Sequence, residues 1–292
     1  MSGDGPLLAA IEAGGTKFVL AVGPSPDRIT VSHTLATGLP HDTLGQAAEW
    51  FAAQGTIRAI GIASFGPVDL DCASPRWGHI LATPKPGWSH CDLAGTLARR
   101  FDVPVGFDTD VNGAALAEAE FGAGAGGASL AYVTVGTGIG GGIVLEGAPV
   151  HGTAHPEVGH ILPRRHPDDR DFAGVCPWHG DCLEGLASGP AITARWGVSL
   201  SELPPDHPGH AIVAHYLAQL CHAVIAFTAV ETIVLGGGVM QTPSLLDRVR
   251  GETARLGAGY FPGGERHRIV APALGTRSGI VGAMLLASRA AR

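Results

Sequence analysis

The sequence predicts an α/β protein of two domains, and three observations carry the prediction. Strand-like apolar runs alternate with helical stretches along the whole chain, the pattern of helices packed on sheets. A strand, a glycine turn and a second strand occur twice, at Ala9 to Ala21 and at Tyr132 to Leu145, an internal repeat of architecture more than of letters. The 292 residues suffice for two domains, or for one large one. At 45% hydrophobic and 15% charged the chain is too apolar for disorder. The 44 glycines come without a G-X-Y period and with only 21 prolines, which excludes collagen and leaves glycine to serve turns and close backbone approaches.

In order, Leu7 to Ala13 reads as a strand, Gly14-Gly15-Thr16-Lys17 as a turn, and Phe18 to Val22 as the returning strand before Pro24 and Pro26. A helix is expected over Thr43 to Ala53 and a strand over Ile57 to Ala63, stopped by Ser64-Phe65-Gly66-Pro67. A loop runs to Trp88, and Asp92 opens a helix through Arg100. The strand Val103 to Phe107 delivers the chain to Asp108-Thr109-Asp110, and an Ala/Glu-rich helix follows to about Phe121. Ser129 to Val135 is a strand, Gly136 to Gly142 a glycine turn, and Ile143 to Leu145 strand-like. A helix near Ala211 to Thr228, a strand at Thr232 to Leu235, a third glycine turn at Gly236 to Gly238 and a helix from about Gly279 complete the chain.

The net charge is -7 and no run of Lys or Arg exceeds a pair such as Arg99-Arg100, so nucleic acid is not an expected partner. The start MSGDG lacks a basic region and Glu12 interrupts the first apolar run, so no signal peptide is expected and the location reads as cytoplasmic. His215, Gln219 and His222 interrupt the longest apolar stretch at helical spacing, which reads as an amphipathic helix and not a membrane span. Five cysteines without a secretion signal argue against a disulfide framework.

Backbone N–H groups in a tight glycine turn form a concave donor site for phosphate oxygens. Three such turns, with Thr16, Lys17 and Thr137 beside them, point to a polyphosphate ligand. No G-x-x-x-x-G-K-[ST] occurs, which excludes a Walker loop. Gly136 to Gly141 satisfies G-x-G-x-x-G, but a strand follows where a dinucleotide-binding fold requires a helix.

IEAGGTKFVLAVG, TDVNGAALAE, VTVGTGIGGGIV, HPEVGH, CPWHGDCLEG and VLGGGV, in that order and spacing, resemble the ROK family of sugar kinases and repressors, closest to its zinc-containing fructokinase branch. The resemblance covers nearly the whole chain. It implies the actin-like, ribonuclease-H-like α/β fold: a two-domain ATPase fold with ATP and sugar in the interdomain cleft and closure excluding water. The domains are then expected at 1–112, rejoined by the C-terminal helix 279–292, and at 113–278, which carries the zinc loop. A homodimer is also implied.

Phosphoryl transfer needs a positioned hydroxyl and a carboxylate to receive its proton. The resemblance places that base at Asp110 of the D-x-N motif, Asp110-Val111-Asn112; the competing role is a helix cap, and Asp108 becomes a capping or supporting acid. Glu12 stands where the wider family has Asp, although the fructokinase branch accepts Glu, and its implied role is an outer-sphere contact with Mg²⁺. A carboxylate in an apolar strand also demands a partner, so Lys17 is either that partner or a phosphate contact. Gly14, Gly15, Thr16, Lys17, Gly136, Thr137, Gly138, Gly236, Gly237 and Gly238 are the expected phosphate-binding residues.

Cys176, His179 and Cys182 form C-x-x-H-x-x-C, a spacing suited to tetrahedral Zn²⁺, which needs a fourth ligand. The resemblance supplies His160, with His155 and His166 as alternatives; His179 replaces a cysteine of the commoner family pattern. A structural zinc would fold the proline-bearing stretch from Glu157 to Glu184. By the same resemblance Gly66, Pro67, Thr109, Asp110, Glu157, His160 and Glu184 approach the sugar, although Glu184 also reads as a surface acid, and Trp88 as either a sugar-stacking ring or core. These expectations converge on an ATP-dependent hexose kinase, most simply a fructokinase. The alternatives are a glucokinase, mannokinase or N-acetylhexosamine kinase of the same family, and, in a different class, a sugar sensor or repressor. With the first strand expected from Leu7, a helix-turn-helix ahead of it is not expected.

Overall fold

The computed structural model describes residues 5–292; Met1–Asp4, the opening of the expected first domain, lie outside the described residues. The chain begins with β1 (Leu7–Ala13), β2 (Lys17–Gly23), β3 (Val31–Ala36), α1 (Pro40–Ala52), β4 (Ile57–Ser64), α2 (Leu93–Phe101), β5 (Val105–Thr109) and α3 (Asp110–Phe121). It continues with β6 (Ser129–Val135), β7 (Ile139–Leu145), β8 (Ala148–Pro149), α4 (Leu183–Ala187), α5 (Gly189–Trp196) and α6 (Gly209–Thr228). The last elements are β9 (Thr232–Gly236), α7 (Leu245–Gly257), β10 (Arg268–Val270) and α8 (Ser278–Ala290).

Two compact units result. One holds the chain up to Ala117 together with Pro149–His155 and Thr276–Arg292; the other holds Glu118–Ala148 and Pro156–Gly275. The division differs from the expected 1–112 and 113–278 in both boundaries and in the return of 149–155 to the first unit. The physical reason lies in α3. Its Gly113 packs directly on the backbone of α8 at Gly282, which ties the first turns of α3 to the first unit. Glu118, fully buried one turn later, accepts from Ala273 N and Leu274 N at 3.0 Å, which ties its end to the second.

Both sheets have five strands and the same pattern. In the first the order is β3-β2-β1-β4-β5, with β1 antiparallel to β2 and parallel to β4, and β4 parallel to β5. In the second it is β8-β7-β6-β9-β10, with β6 antiparallel to β7 and parallel to β9, and β9 parallel to β10. The strand–turn–strand repeat of the sequence thus extends to a whole sheet. One detail is corrected: β7 begins at Ile139, not Ile143, because Gly140, Gly141 and Gly142 pair with Thr134, Val133 and Tyr132 inside the ladder. Only Gly136 to Gly138 form the turn.

The inner strand β4 is buried along almost its whole length, as expected of a parallel strand covered on both faces. α8 covers it closely. A Cβ at Gly61 would run into the backbone of Ala283 and Ala287, so this strand tolerates no side chain there. Trp88 is core: it is fully buried, packs on Phe18 and Phe65 with ring centroids 5.3 and 5.6 Å away, and donates from Nε1 to Gly38 O at 2.9 Å. That resolves its two sequence readings against sugar stacking. α6 is long and apolar enough to cross a membrane by length and composition, yet 56% of that stretch is buried inside the protein. Val213, Tyr216, Leu217 and Leu220 face inward, while His215, Gln219 and His222 are only half-buried, the distribution of a core helix with one wetter face.

Candidate active site and metal centre

In the first unit three carboxylates collect at the ends of β1 and β5, the two strands that flank β4. Glu12 on β1 lies in register with Val19 of β2 and Ala63 of β4. β5 ends on Asp108 and Thr109, and α3 starts on Asp110. The helix cap expected as the rival role of Asp110 falls to Thr109, whose Oγ1 accepts from Asn112 N at 3.1 Å. Asp110 Oδ1 accepts from Val111 N at 2.8 Å, in the first turn of a helix, where the macrodipole favours an anion. Thr109 is buried, so the expected sugar contact carries the turn as well.

Burial pushes Glu12 up to about 7; the negative charge of Asp110 adds to the rise and Lys17 opposes it. The Glu12 carboxylate also sits where a Cβ on Gly279 of α8 would be. Two carboxylates that raise each other's cost are the chemistry a divalent cation relieves, so the pair fits the Mg²⁺ expected beside a polyphosphate. Lys17 is exposed and acts on Glu12 through space, which supports the partner reading and leaves its ammonium accessible.

Sequence reasoning missed the surroundings of Asp108. This residue is 2% exposed, and Oδ1 accepts from Thr109 N at 2.8 Å and from Asn112 Nδ2 at 2.6 Å. His151 Nε2 lies 3.0 Å from Oδ2, and this hydrogen bond raises the imidazole above its ordinary value, burial opposing. Nothing in the spacing of His151, some forty positions downstream, announces the contact. His155 from the same segment takes Val68 N onto Nε2 at 3.3 Å, next to exposed Gly66 and half-buried Pro67 of the expected sugar loop.

The glycine turns are built differently in the two units. Gly14 N donates to Lys17 O at 2.9 Å, and Thr37 holds the same turn through Oγ1 to Gly14 O and N to Thr16 O. Gly136 N donates to Gly138 O at 2.9 Å, and Ile139 N donates to Glu184 Oε2 at 2.9 Å. Glu184 is therefore no surface acid. It is half-buried and holds the Gly136–Gly138 turn. Gly237 has φ +92° and its Cα lies against the backbone of Val135, a conformation and an approach open to glycine alone. Gly236 is buried, whereas Gly15, Thr16, Thr137 and Gly238 are exposed, so backbone there is reachable by a phosphate.

The cysteine and histidine cluster closes in the second unit. His160 Nδ1 lies 3.4 Å from Cys182 Sγ and 3.9 Å from Cys176 Sγ, and His179 Nδ1 lies 3.7 Å from Cys176 Sγ. The four ligand atoms all lie within 4.8 Å of one another. Zn–S and Zn–N bonds of about 2.3 and 2.1 Å in a tetrahedron imply ligand separations of roughly 3.4 to 3.8 Å, so the cluster fits zinc with a small contraction. Burial pushes the Cys182 thiol up to about 11, a cost that a bound cation removes. The alternative fourth ligands are occupied elsewhere: His155 on Val68, and His166 accepting from Asp168 N at 3.1 Å. Glu157 is exposed and faces the other ring nitrogen of His160 at 4.0 Å. Between Glu157 and Glu184 only the single turns Val158–His160 and Pro167–Asp169 and the first residues of α4 are regular. A second clamp braces the stretch: Asp169 meets Arg195 Nε at 3.0 Å and accepts from Tyr216 Oη at 2.7 Å.

The model of the ROK family matches residues 8–290. The chain is 46% identical to a fructokinase of Zymomonas mobilis over 98% of both chains. It is 44% identical to a putative fructokinase of Bacillus subtilis, over 97% of this chain and 96% of that one. Among solved structures, a ROK hexokinase from Thermus thermophilus matches with TM-score 0.79 and 27% identity, over 97% of this chain and 98% of that one. A ROK family glucokinase from Streptomyces griseus, solved with glucose and AMPPNP, matches with TM-score 0.73 and 26% identity over 97% and 99%. The architecture is the actin-like, ribonuclease-H-like α/β fold of these kinases.

Proposed function

The chain belongs to the ROK family, and from that premise we propose that it is an ATP-dependent fructokinase, converting ATP and D-fructose to ADP and fructose 6-phosphate. The observation that carries the reading is Asp110, set at the start of α3 beside Glu12, in a chain whose similarity to fructokinases runs almost end to end. Asp110 accepts the proton of the sugar 6-hydroxyl as the oxygen attacks the γ-phosphorus. Glu12 would hold Mg²⁺ through its water shell, where the ion would neutralise charge on the polyphosphate. The backbone of Gly14, Gly15, Thr16, Gly136, Thr137, Gly138, Gly236, Gly237 and Gly238, with the Lys17 ammonium, holds the phosphates. Gly66, Pro67, Thr109, Glu157, His160 and Glu184 orient the sugar hydroxyls, and Glu184 also braces the Gly136–Gly138 turn that holds phosphate. Zn²⁺ on His160, Cys176, His179 and Cys182 is structural, shaping the loop that carries Glu157. The same reading makes the enzyme a cytoplasmic homodimer.

The test is ADP formation from Mg-ATP by the purified protein with fructose, mannose, glucose and N-acetylglucosamine. The expected result is the highest kcat/KM with fructose. Preference for another hexose would replace the substrate, and absence of turnover with every sugar would overturn the kinase reading.

A further inference from the structure

The segment Pro149–His155 belongs to the first unit although the chain on either side of it belongs to the second. Seven residues without a helix thus return to the first unit, and both histidines they carry grip one of its loops. His155 takes the amide of Val68 behind Gly66 and Pro67. His151 reaches the strand-to-helix turn that bears Asp110, meeting Asp108 Oδ2 at 3.0 Å and lying 3.2 Å from Asn112 Nδ2. Asp108 and Asn112 flank Asp110 at two residues on each side and are themselves joined, Nδ2 to Oδ1, at 2.6 Å. Both are buried, at 2% and 0% exposure.

A buried carboxylate is costly unless it is paired and hydrogen-bonded. The other two donors to Asp108 are neutral amides, Thr109 N and Asn112 Nδ2; His151 can bring charge. Asn112 has little freedom to compensate. Its Oδ1 has no hydrogen-bond partner among the described residues, and turning the amide over would set that oxygen against Asp108 Oδ1. His151 is half in solvent, with 38% of its side chain exposed, and its main chain lies outside the sheet, so it is not needed to build β5 or α3.

We infer that His151 is a positioning residue for the phosphoryl transfer: through Asp108 and Asn112 it holds the turn that aims Asp110. The inference rests on the reading of Asp110 as the base. Removing His151 lets Asp108 and Asn112 rearrange, and Asp110 between them loses its aim. Misplacement of about 1 Å at a reacting group costs up to roughly a hundredfold in rate.

The test is steady-state kinetics of His151→Ala, His151→Gln, Asp108→Asn and the double variant His151→Ala/Asp108→Asn, with folding checked by circular dichroism. His151→Ala should lower kcat between about tenfold and a hundredfold while leaving the KM values for ATP and fructose within about threefold. His151→Gln, which restores an N–H donor, should recover part of the loss and serves in place of the alanine variant should that one fail to fold. The double variant should be no slower than the slower single variant, because both substitutions break one network. An unchanged kcat in His151→Ala, a loss confined to the KM of fructose, or additive losses in the double variant would each overturn the inference. Failure of the kinase reading is separable: it shows as absence of sugar-dependent turnover in the unsubstituted protein.

Discussion

In the first unit the hairpin β1–β2 carries Glu12 one residue before the end of its inner strand, and β5 runs directly into Asp108, Thr109 and Asp110. In the second unit, with the same strand order, Thr134 holds the place of Glu12 on β6, and β10 runs into Ala271 and Pro272. The acids belong to one copy of the pattern only. What the second unit adds is the long stretch from Pro156 to α4, almost without regular structure, closed by two histidines and two cysteines. One scaffold thus supports chemistry in two ways. Residues at strand ends and helix starts inherit their geometry from the sheet, whereas residues on an irregular stretch need an added constraint, here the Asp169–Arg195–Tyr216 clamp and a cysteine and histidine cluster that could hold a metal.

That contrast breaks most easily at the metal. Cys182→Ala should abolish metal binding, expected at about one zinc per chain for a single four-ligand site, and open residues 161–182 to protease while the first unit stays folded. Metal content after denaturation and limited proteolysis read both effects; a metal-free protein with a protected loop would contradict the assignment. In the first unit the sheet itself should be the vulnerable part. Gly61→Ala forces α8 off β4 and should destabilise by about 3 kcal/mol, measured by urea unfolding; a neutral effect would show that the close approach is dispensable.

Glu12 sharpens the electrostatic side of the comparison. Its folded value of about 7 lies above the ordinary 4.5, so its contribution to stability is present below 4.5 and is lost as pH rises toward and through 7. Without Mg²⁺ and ATP, the unsubstituted protein should therefore lose stability relative to Glu12→Gln across that window, by on the order of 3 kcal/mol at most. A difference that does not vary with pH would contradict the shift. The smallest effect is expected at Trp88→Phe. It loses the hydrogen bond to Gly38 O, worth about 1 kcal/mol, and should leave the KM of fructose unchanged; a marked rise in that KM would return Trp88 to the sugar site.

Much of this was legible because the signals were local. Leu7–Ala13, Ser129–Val135 and the glycine turns between paired strands follow from apolar runs broken by glycine, and the Cys176, His179, Cys182 spacing reads as a metal loop without any structure. Asp110 was legible only through the D-x-N motif and its family resemblance. Elements with weak pattern escaped: β3 is exposed on nearly every residue, β10 has three residues, and α7 is mostly polar with scattered buried positions. The sequence pattern starts β7 too late because glycine is a poor strand former, and here Gly141 is needed where Val158 packs against the strand. His151 on Asp108 and Glu184 on Ile139 were illegible for a different reason. Each is a contact between segments forty or more residues apart, fixed by topology and not by spacing.

The most direct test of the account is Asp110→Asn, followed by fructose binding in calorimetry and by fructose-dependent ADP formation. Asp110 as the base predicts that kcat falls by about two to four orders of magnitude while fructose still binds and the protein unfolds at the same denaturant concentration. A variant that keeps near-normal kcat, or one that simply loses fructose, would contradict it.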